Sequence, residues 1–233
     1  MPLSDRQERL QQILTRIQDA AAKAGRPADA VTLIAVSKTF PDDAIQEVAA
    51  LGQVAFGENK VQELVGKMDR LGSGTSEHPL QWHLIGHLQR NKAKDIVGRV
   101  ALFHALDSRR LGNELQKRLT AIDGTLDCLV QVNVSGEKSK FGVAPTDLDA
   151  LVDELSGFDR LRIRGLMTLA APAEDPEDVR AEMARLRHVS TTIADRCTDG
   201  SPLLSMGMSG DFEVAIEEGA THVRIGSAIF GER

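Results

Sequence analysis

A lysine at the end of an apolar run is the first residue of this chain whose setting suggests chemistry. The run is VTLIAVSK, residues 31–38, in which Ser37 and then Lys38 follow a string of mostly apolar residues. An amine held against an apolar wall is poorly hydrated. That favours its neutral form and frees the lone pair to attack a carbonyl and form a Schiff base. The plainer alternative is a strand-end lysine paired with a carboxylate, for which Glu58 is the candidate partner.

Two late segments could hold an anion, SMGMSGDFE (205–213) and VRIGSAIFG (223–231). Ser209 reads as a helix N-cap with Gly210 next to it, which lets backbone N–H groups approach a phosphate. Gly226 and Ser227 add a further amide and a hydroxyl. Ordinary turn chemistry would also account for these residues. Arg224 stands inside the apolar stretch HVRIGSAIF, where a charge is costly unless it meets a partner. That partner is either a structural carboxylate or a heteroatom of a ligand.

Other polar residues carry less. His83 and His87 are spaced i, i+4 in HLIGH, but the glutamate of the zinc-protease motif is missing and Gly86 interrupts a helix there, so no metal site is expected. LQRNKAK (88–94) reads as the solvated start of a helix. SGEKSKFG (135–142) reads as a basic turn that could act as a lid. No G-x-G-x-x-G follows a strand, which excludes a dinucleotide fingerprint.

The elements that must position these residues alternate along the chain. Apolar runs at 31–38, 53–58, 80–86, 100–106, 126–134, 163–169, 203–206 and 223–230 read as eight strands, and a helical pattern follows each of the first seven. The runs are continuous rather than alternating, as in parallel strands covered on both faces. Eight such units predict an α/β fold, a single (β/α)8 TIM barrel, with an open doubly wound sheet as the rival. An extra N-terminal helix precedes them. It is opened by the capping pair Ser4 and Gln7, carries Leu10, Ile13, Leu14, Ile17, Ala21 and Ala24 on one face, and is stopped by Gly25 and Pro27. Asp175 and Pro176 read as the start of the helix after the sixth strand, and 72–79 as a flexible loop. Residues 1–233 are expected to form one domain. In such a barrel, active sites lie where strands end, which is where Lys38, Asn59 and Arg224 fall.

Composition narrows the function. With 42% apolar residues the 233-residue chain can bury a sizeable core, and a net charge of −6 argues against a nucleic-acid partner. The polar N-terminus lacks a signal-type apolar stretch, and no run of 18 apolar residues exists, so a cytoplasmic protein without a membrane span is expected. The two cysteines, Cys128 and Cys197, are expected to be free and buried. There is no tyrosine, so no mechanism can draw on a phenol from this chain.

Together, AVSKT (35–39), FGENKVQE (56–63), WHLIGHLQRNK (82–92), EKSKFG (137–142), IRGLMTL (163–169), SMGMSGDFEVAI (205–216) and VRIGSAIFG (223–231) resemble the pyridoxal phosphate homeostasis protein family. The matches run in order across nearly the whole chain. The resemblance implies a barrel like the N-terminal domain of alanine racemase and pyridoxal 5′-phosphate (PLP) as cofactor. It implies Lys38 as the Schiff-base lysine and Asn59 as a residue lining the cofactor ring. Ser209, Gly226 and Ser227 become phosphate contacts, and Arg224 the group facing the pyridine nitrogen. The family often has Tyr or Arg after G-E-N, where this chain has Lys60.

An arginine at the pyridine nitrogen cannot keep it protonated, which disfavours the strong electron sink of many PLP enzymes. Alanine racemase also uses a catalytic tyrosine and a second β-rich domain. The expectation is therefore a PLP-binding protein without strong catalysis, acting in vitamin B6 homeostasis by storage, buffering or handover. Apo PLP-dependent enzymes are its expected partners, and a monomer is its expected state. A fold-type III PLP enzyme acting on amino acids is the alternative. A class I aldolase-like barrel, using Lys38 on a sugar phosphate, is a third.

Overall fold

The computed structural model describes residues 4–137, 140–171 and 173–231. Eight strands follow one another: β1 (Thr32–Val36), β2 (Ala55–Glu58), β3 (Gln81–Leu84), β4 (Leu102–Leu106), β5 (Leu126–Gln131), β6 (Leu161–Met167), β7 (Leu203–Ser205) and β8 (His222–Ile225). All neighbours are parallel, and β8 pairs with β1 through Leu33 opposite Val223 and Ile34 opposite Arg224, so the sheet closes. That closure excludes the open doubly wound sheet and establishes the (β/α)8 barrel.

The strands are buried on both faces because helices cover the outside. These are α2 (Asp42–Ala50), α3 (Val61–Leu71), α4 (Arg109–Ala121), α5 (Leu148–Leu155), α6 (Arg180–Ser190), α7 (Phe212–Glu217) and α8 (Ser227–Phe230), preceded by α1 (Asp5–Lys23). Helix α1 starts where expected, with the Ser4 hydroxyl accepting from the Gln7 amide at 3.2 Å. Its face of Leu10, Ile13, Ile17, Ala20 and Ala21 is buried against α7 and α8. Gly25 then turns the chain at φ +66°, a conformation that costs glycine nothing.

Two local expectations are corrected. The segment after β3 is a 3-10 turn over Arg90–Asp95 rather than an α-helix, and of its six residues only Ala93 is buried. A segment with so little apolar face lacks the packing that stabilises a short α-helix. Asp175 does cap, accepting from Glu177 N at 2.9 Å, but it opens a short 3-10 turn, and α6 begins at Arg180. The 72–79 segment folds back on itself, with Thr75 N donating to the His78 carbonyl at 3.1 Å and Gly74 bridging Pro79.

The core between sheet and helices is apolar, with Phe56, Phe103, Phe212, Leu64 and Leu115 fully buried. The barrel interior is different. His104 on β4 reaches Ser205 on β7 at 2.9 Å, and since β4 and β7 are not neighbours, that contact crosses the inside of the barrel. Cys128 and Cys197 are free and buried. Burial pushes the Cys128 thiol well up and the Cys197 thiol up to about 11, so both behave as packing groups. No helix among the described residues is long and apolar enough to cross a membrane.

Candidate functional site

A cavity of about 760 Å³ opens at the C-terminal ends of the strands. That is the size range of cofactor sites. Lys38, Asn59, Ser209, Gly210, Arg224, Gly226 and Ser227 all line it. Residues 186 positions apart in sequence, Lys38 and Arg224, thus share one wall because β1 and β8 close the barrel side by side.

Lys38 lies two residues beyond the end of β1 and is half-buried. Its amine has no hydrogen bond or ion pair among the described residues, and it does not pair with Glu58. That expectation is corrected by α3. Lys67 reaches in from that helix and takes Glu58 Oε1 at 2.7 Å, while Ser37 Oγ donates to the same oxygen at 2.7 Å. Glu58 is fully buried and its Oε2 has no partner, so burial raises its carboxyl above the usual range despite Lys67 and Ser37. Burial raises Glu63 as well, but hydrogen bonds from Lys67 and from the Thr39 amide outweigh it and leave that carboxyl low. The Thr39 backbone sits at φ +68°, strained for a β-branched residue.

Asn59 follows β2 and is held by contact with Gly86. A Cβ on Gly86 would stand 2.2 Å from the Asn59 carbonyl oxygen, so only glycine lets the β3 end approach this closely. Lys60 points elsewhere. It is exposed and absent from the cavity lining.

Ser209 is not the N-cap of α7. Asp211 takes that position, and its carboxylate accepts from the Met208 amide instead. Ser209 is thereby left facing Ser227, whose hydroxyl donates to it at 3.4 Å. The amides of Ser209, Gly210, Ser227 and Ala228 donate to no acceptor among the described residues. Two hydroxyls and the uncommitted amides of Ser209, Gly210 and Ser227 therefore meet at one corner of the cavity, which is the donor set a phosphate requires. Gly226 lies so close to β1 that an added Cβ would meet the Val36 carbonyl oxygen at 3.0 Å.

Arg224 is buried and takes part in no ion pair among the described residues. Its Nη1 donates to Ser205 Oγ at 2.6 Å and its Nη2 to the Thr168 carbonyl at 2.8 Å. Burial lowers it to about 10, with Asp211 opposing, so it remains a cation at neutral pH. A buried cation on a cavity wall with only neutral protein acceptors is suited to an acceptor atom on a ligand.

Sequence reasoning missed two features of this site. Phe141 stacks on His87, with ring centroids 4.2 Å apart, and both line the cavity. This is the described part of the expected lid, while Lys138 and Ser139 lie outside the described residues. The composition of the loop carried no sign of an aromatic stack. His104, in the middle of β4, is the other. A histidine in the apolar run LFHAL was the available signal. Among the described residues no group of side chains is arranged to hold a metal.

The chain matches the family described as "Alanine racemase, N-terminal domain" over residues 9–233. A pyridoxal phosphate homeostasis protein of Aquifex aeolicus is 44% identical over 226 residues, covering 97% of each chain. A protein of Bifidobacterium adolescentis described as unknown superposes with a TM-score of 0.88 at 32% identity, over 98% of this chain and 97% of the other. PipY of Synechococcus elongatus, solved with PLP bound, superposes with a TM-score of 0.82 at 34% identity, over 97% of this chain and all of the other. With agreement of this extent in sequence and in fold, the chain belongs to the pyridoxal phosphate homeostasis protein family.

Proposed function

We propose that this chain is a single PLP-binding domain, residues 1–233, that holds the cofactor in the barrel-mouth cavity and serves vitamin B6 homeostasis without strong catalysis. The observation that carries this reading is the meeting of Lys38, Arg224 and the Ser209–Ser227 corner in one cavity of about 760 Å³. When bound, PLP supplies an aldehyde that condenses with an amine and a ring that withdraws electrons. Lys38 is the amine without a competing partner. Ser209, Gly226 and Ser227 hold the phosphate, Asn59 lines the ring, and the Arg224 guanidinium donates to the ring nitrogen. An arginine has no acceptor and does not give up its proton there, so the ring nitrogen stays unprotonated and the electron sink weak.

The absence of tyrosine from the chain supports storage, buffering or handover over racemisation. Recipients of the handover would be apo PLP-dependent enzymes, and the working form a cytoplasmic monomer. The match to alanine racemase domains favours one second reading, a fold-type III enzyme acting on amino acids.

Borohydride reduction of the PLP-treated protein, followed by peptide mapping, is expected to leave a pyridoxyl group on Lys38. Lys38→Ala is expected to lose that adduct and the associated visible absorbance, while the phosphate corner retains some PLP noncovalently. An unaltered spectrum in Lys38→Ala would show that another amine holds the cofactor. Turnover of a panel of L- and D-amino acids would favour the enzyme.

A further inference from the structure

The Arg224 guanidinium does not end at Ser205. Ser205 Oγ also lies 2.9 Å from His104 Nδ1, and His104 Nε2 lies 3.0 Å from His83 Nδ1. Ser205, His104 and His83 are buried, so water does not compete for these bonds. The chain runs from the cavity wall on β8, through β7 and β4, to β3.

One arrangement of protons satisfies all of these contacts and also gives the buried Ser205 hydroxyl proton an acceptor. Guanidinium nitrogens donate and never accept, so Ser205 Oγ must accept from Arg224. A serine oxygen can accept twice, but if it also accepted from His104 its own buried proton would have no acceptor among the described residues; directed at His104 Nδ1 that proton is paired, which makes Nδ1 the unprotonated acceptor. A neutral imidazole carries one proton, so that of His104 sits on Nε2 and is donated to His83 Nδ1. His83 in turn carries its proton on Nε2. Every bond points away from Arg224. Burial lowers His83 to about 3 and holds His104 well below the usual imidazole range, so both rings stay neutral and the direction persists through the physiological range.

We propose that His104 and His83 are positioning residues for Arg224, fixing the plane of its guanidinium through the Ser205 hydroxyl. With Nη1 committed to Ser205 and Nη2 to the Thr168 carbonyl, the fork has two anchors and cannot rotate in its pocket. If His104 offered Ser205 a proton, the hydroxyl would lose the acceptor that orients it, and with it the fixed lone-pair direction that Arg224 Nη1 meets. The relay thus sets the direction in which Arg224 presents its remaining N–H groups to the cavity. The part of the inference that concerns the cofactor rests on the reading of the cavity as a PLP site. The tautomers do not.

Two measurements test it. Long-range proton–nitrogen NMR of the unloaded wild-type protein, labelled with 15N-histidine, is expected to show unprotonated Nδ1 and protonated Nε2 on both His83 and His104. A protonated Nδ1 on His104 overturns the relay. The second measurement compares His104→Leu and His104→Gln after PLP loading. His104→Leu is expected to keep the pyridoxyl adduct at Lys38, shift the absorbance maximum of the bound cofactor, and weaken noncovalent PLP retention about tenfold, the equivalent of one good hydrogen bond. His104→Gln offers Ser205 an amide oxygen and is expected to restore most of the wild-type spectrum. A wild-type spectrum and retention in His104→Leu would show that Arg224 is oriented without the relay. Should wild-type protein take up no PLP at Lys38, the cofactor reading fails, and the NMR tautomers alone still decide the relay.

Discussion

The Lys67 ammonium donates to the Ser37 carbonyl oxygen at 2.7 Å, so the residue immediately before Lys38 is tied to a buried ion pair on the neighbouring helix. Lys67 also meets Glu58 at 2.7 Å and Glu63 at 2.9 Å, and Glu63 accepts from the Thr39 amide on the other side of Lys38. The half-buried amine projects from a backbone clamped on both sides. The strained backbone at Thr39 thus stands directly beside Lys38.

Removing one partner of that ion pair leaves the other charge stranded. Lys67→Met is expected to lower stability by about 3–5 kcal/mol, while Lys67→Met combined with Glu58→Leu recovers most of the loss. Urea unfolding of the two variants checks this. Equal destabilisation in both would mean that Glu58 is not held as an anion by Lys67.

If the Ser209–Ser227 corner holds the phosphate as proposed, a negative charge there discriminates against phosphate alone. Ser209→Asp is expected to weaken PLP binding tenfold or more, on the order of 1.4 kcal/mol, while leaving pyridoxal binding nearly unaltered. Equilibrium dialysis with the two compounds measures the difference. Parallel losses would move the phosphate away from Ser209.

On the proposed reading that Arg224 faces the cofactor ring, exchanging it for an acid should strengthen the electron sink. Arg224→Glu replaces a donor that cannot take up a proton by a carboxylate, which favours a protonated pyridine. The rate of transamination with an amino-acid panel is expected to rise above the wild-type background. An unchanged rate and spectrum would mean that Arg224 does not face the ring.

Two buried histidines, His83 and His104, and the half-buried His222 make stability fall on the acid side of neutrality. Burial holds His83 at about 3 and His222 at about 4, with the Arg224 charge adding to the effect at His222, and His104 is held low as well. In the unfolded chain each takes up a proton near pH 6.5. Between that value and the folded one, the unfolded state binds more protons, so the stability present above pH 6.5 is lost as the pH falls. Each ring contributes up to about 1.4 kcal/mol per pH unit. Urea midpoints at pH 7.5, 6 and 5 are expected to decrease, and His222→Gln is expected to flatten the trend. A flat wild-type profile would show that the rings protonate in place.

Much of this was legible in the chain because some signals are local. Eight continuous apolar runs separated by helical patterns point to parallel strands covered on both faces, and their number favours a barrel over an open sheet, a choice that the pairing of β8 with β1 settles. Lys38, Arg224, Gly226 and Ser227 stood out because each breaks or ends an apolar run. Ser209 was read as a cap from its neighbours in sequence, yet Asp211 occupies that position, because two nearby capping residues are equivalent until the loop is folded.

The sequence by itself determined the order of the elements and the residue types at the strand ends. Only the tertiary structure decided which of them meet. Glu58 went to Lys67 rather than Lys38 because α3 packs a second amine beneath the strand. His104 found Ser205 across 101 residues because barrel closure brings β4 and β7 face to face across the interior. Periodicity along a chain reports which face a side chain takes, and the partner it finds there is set by the curvature and register of the closed sheet.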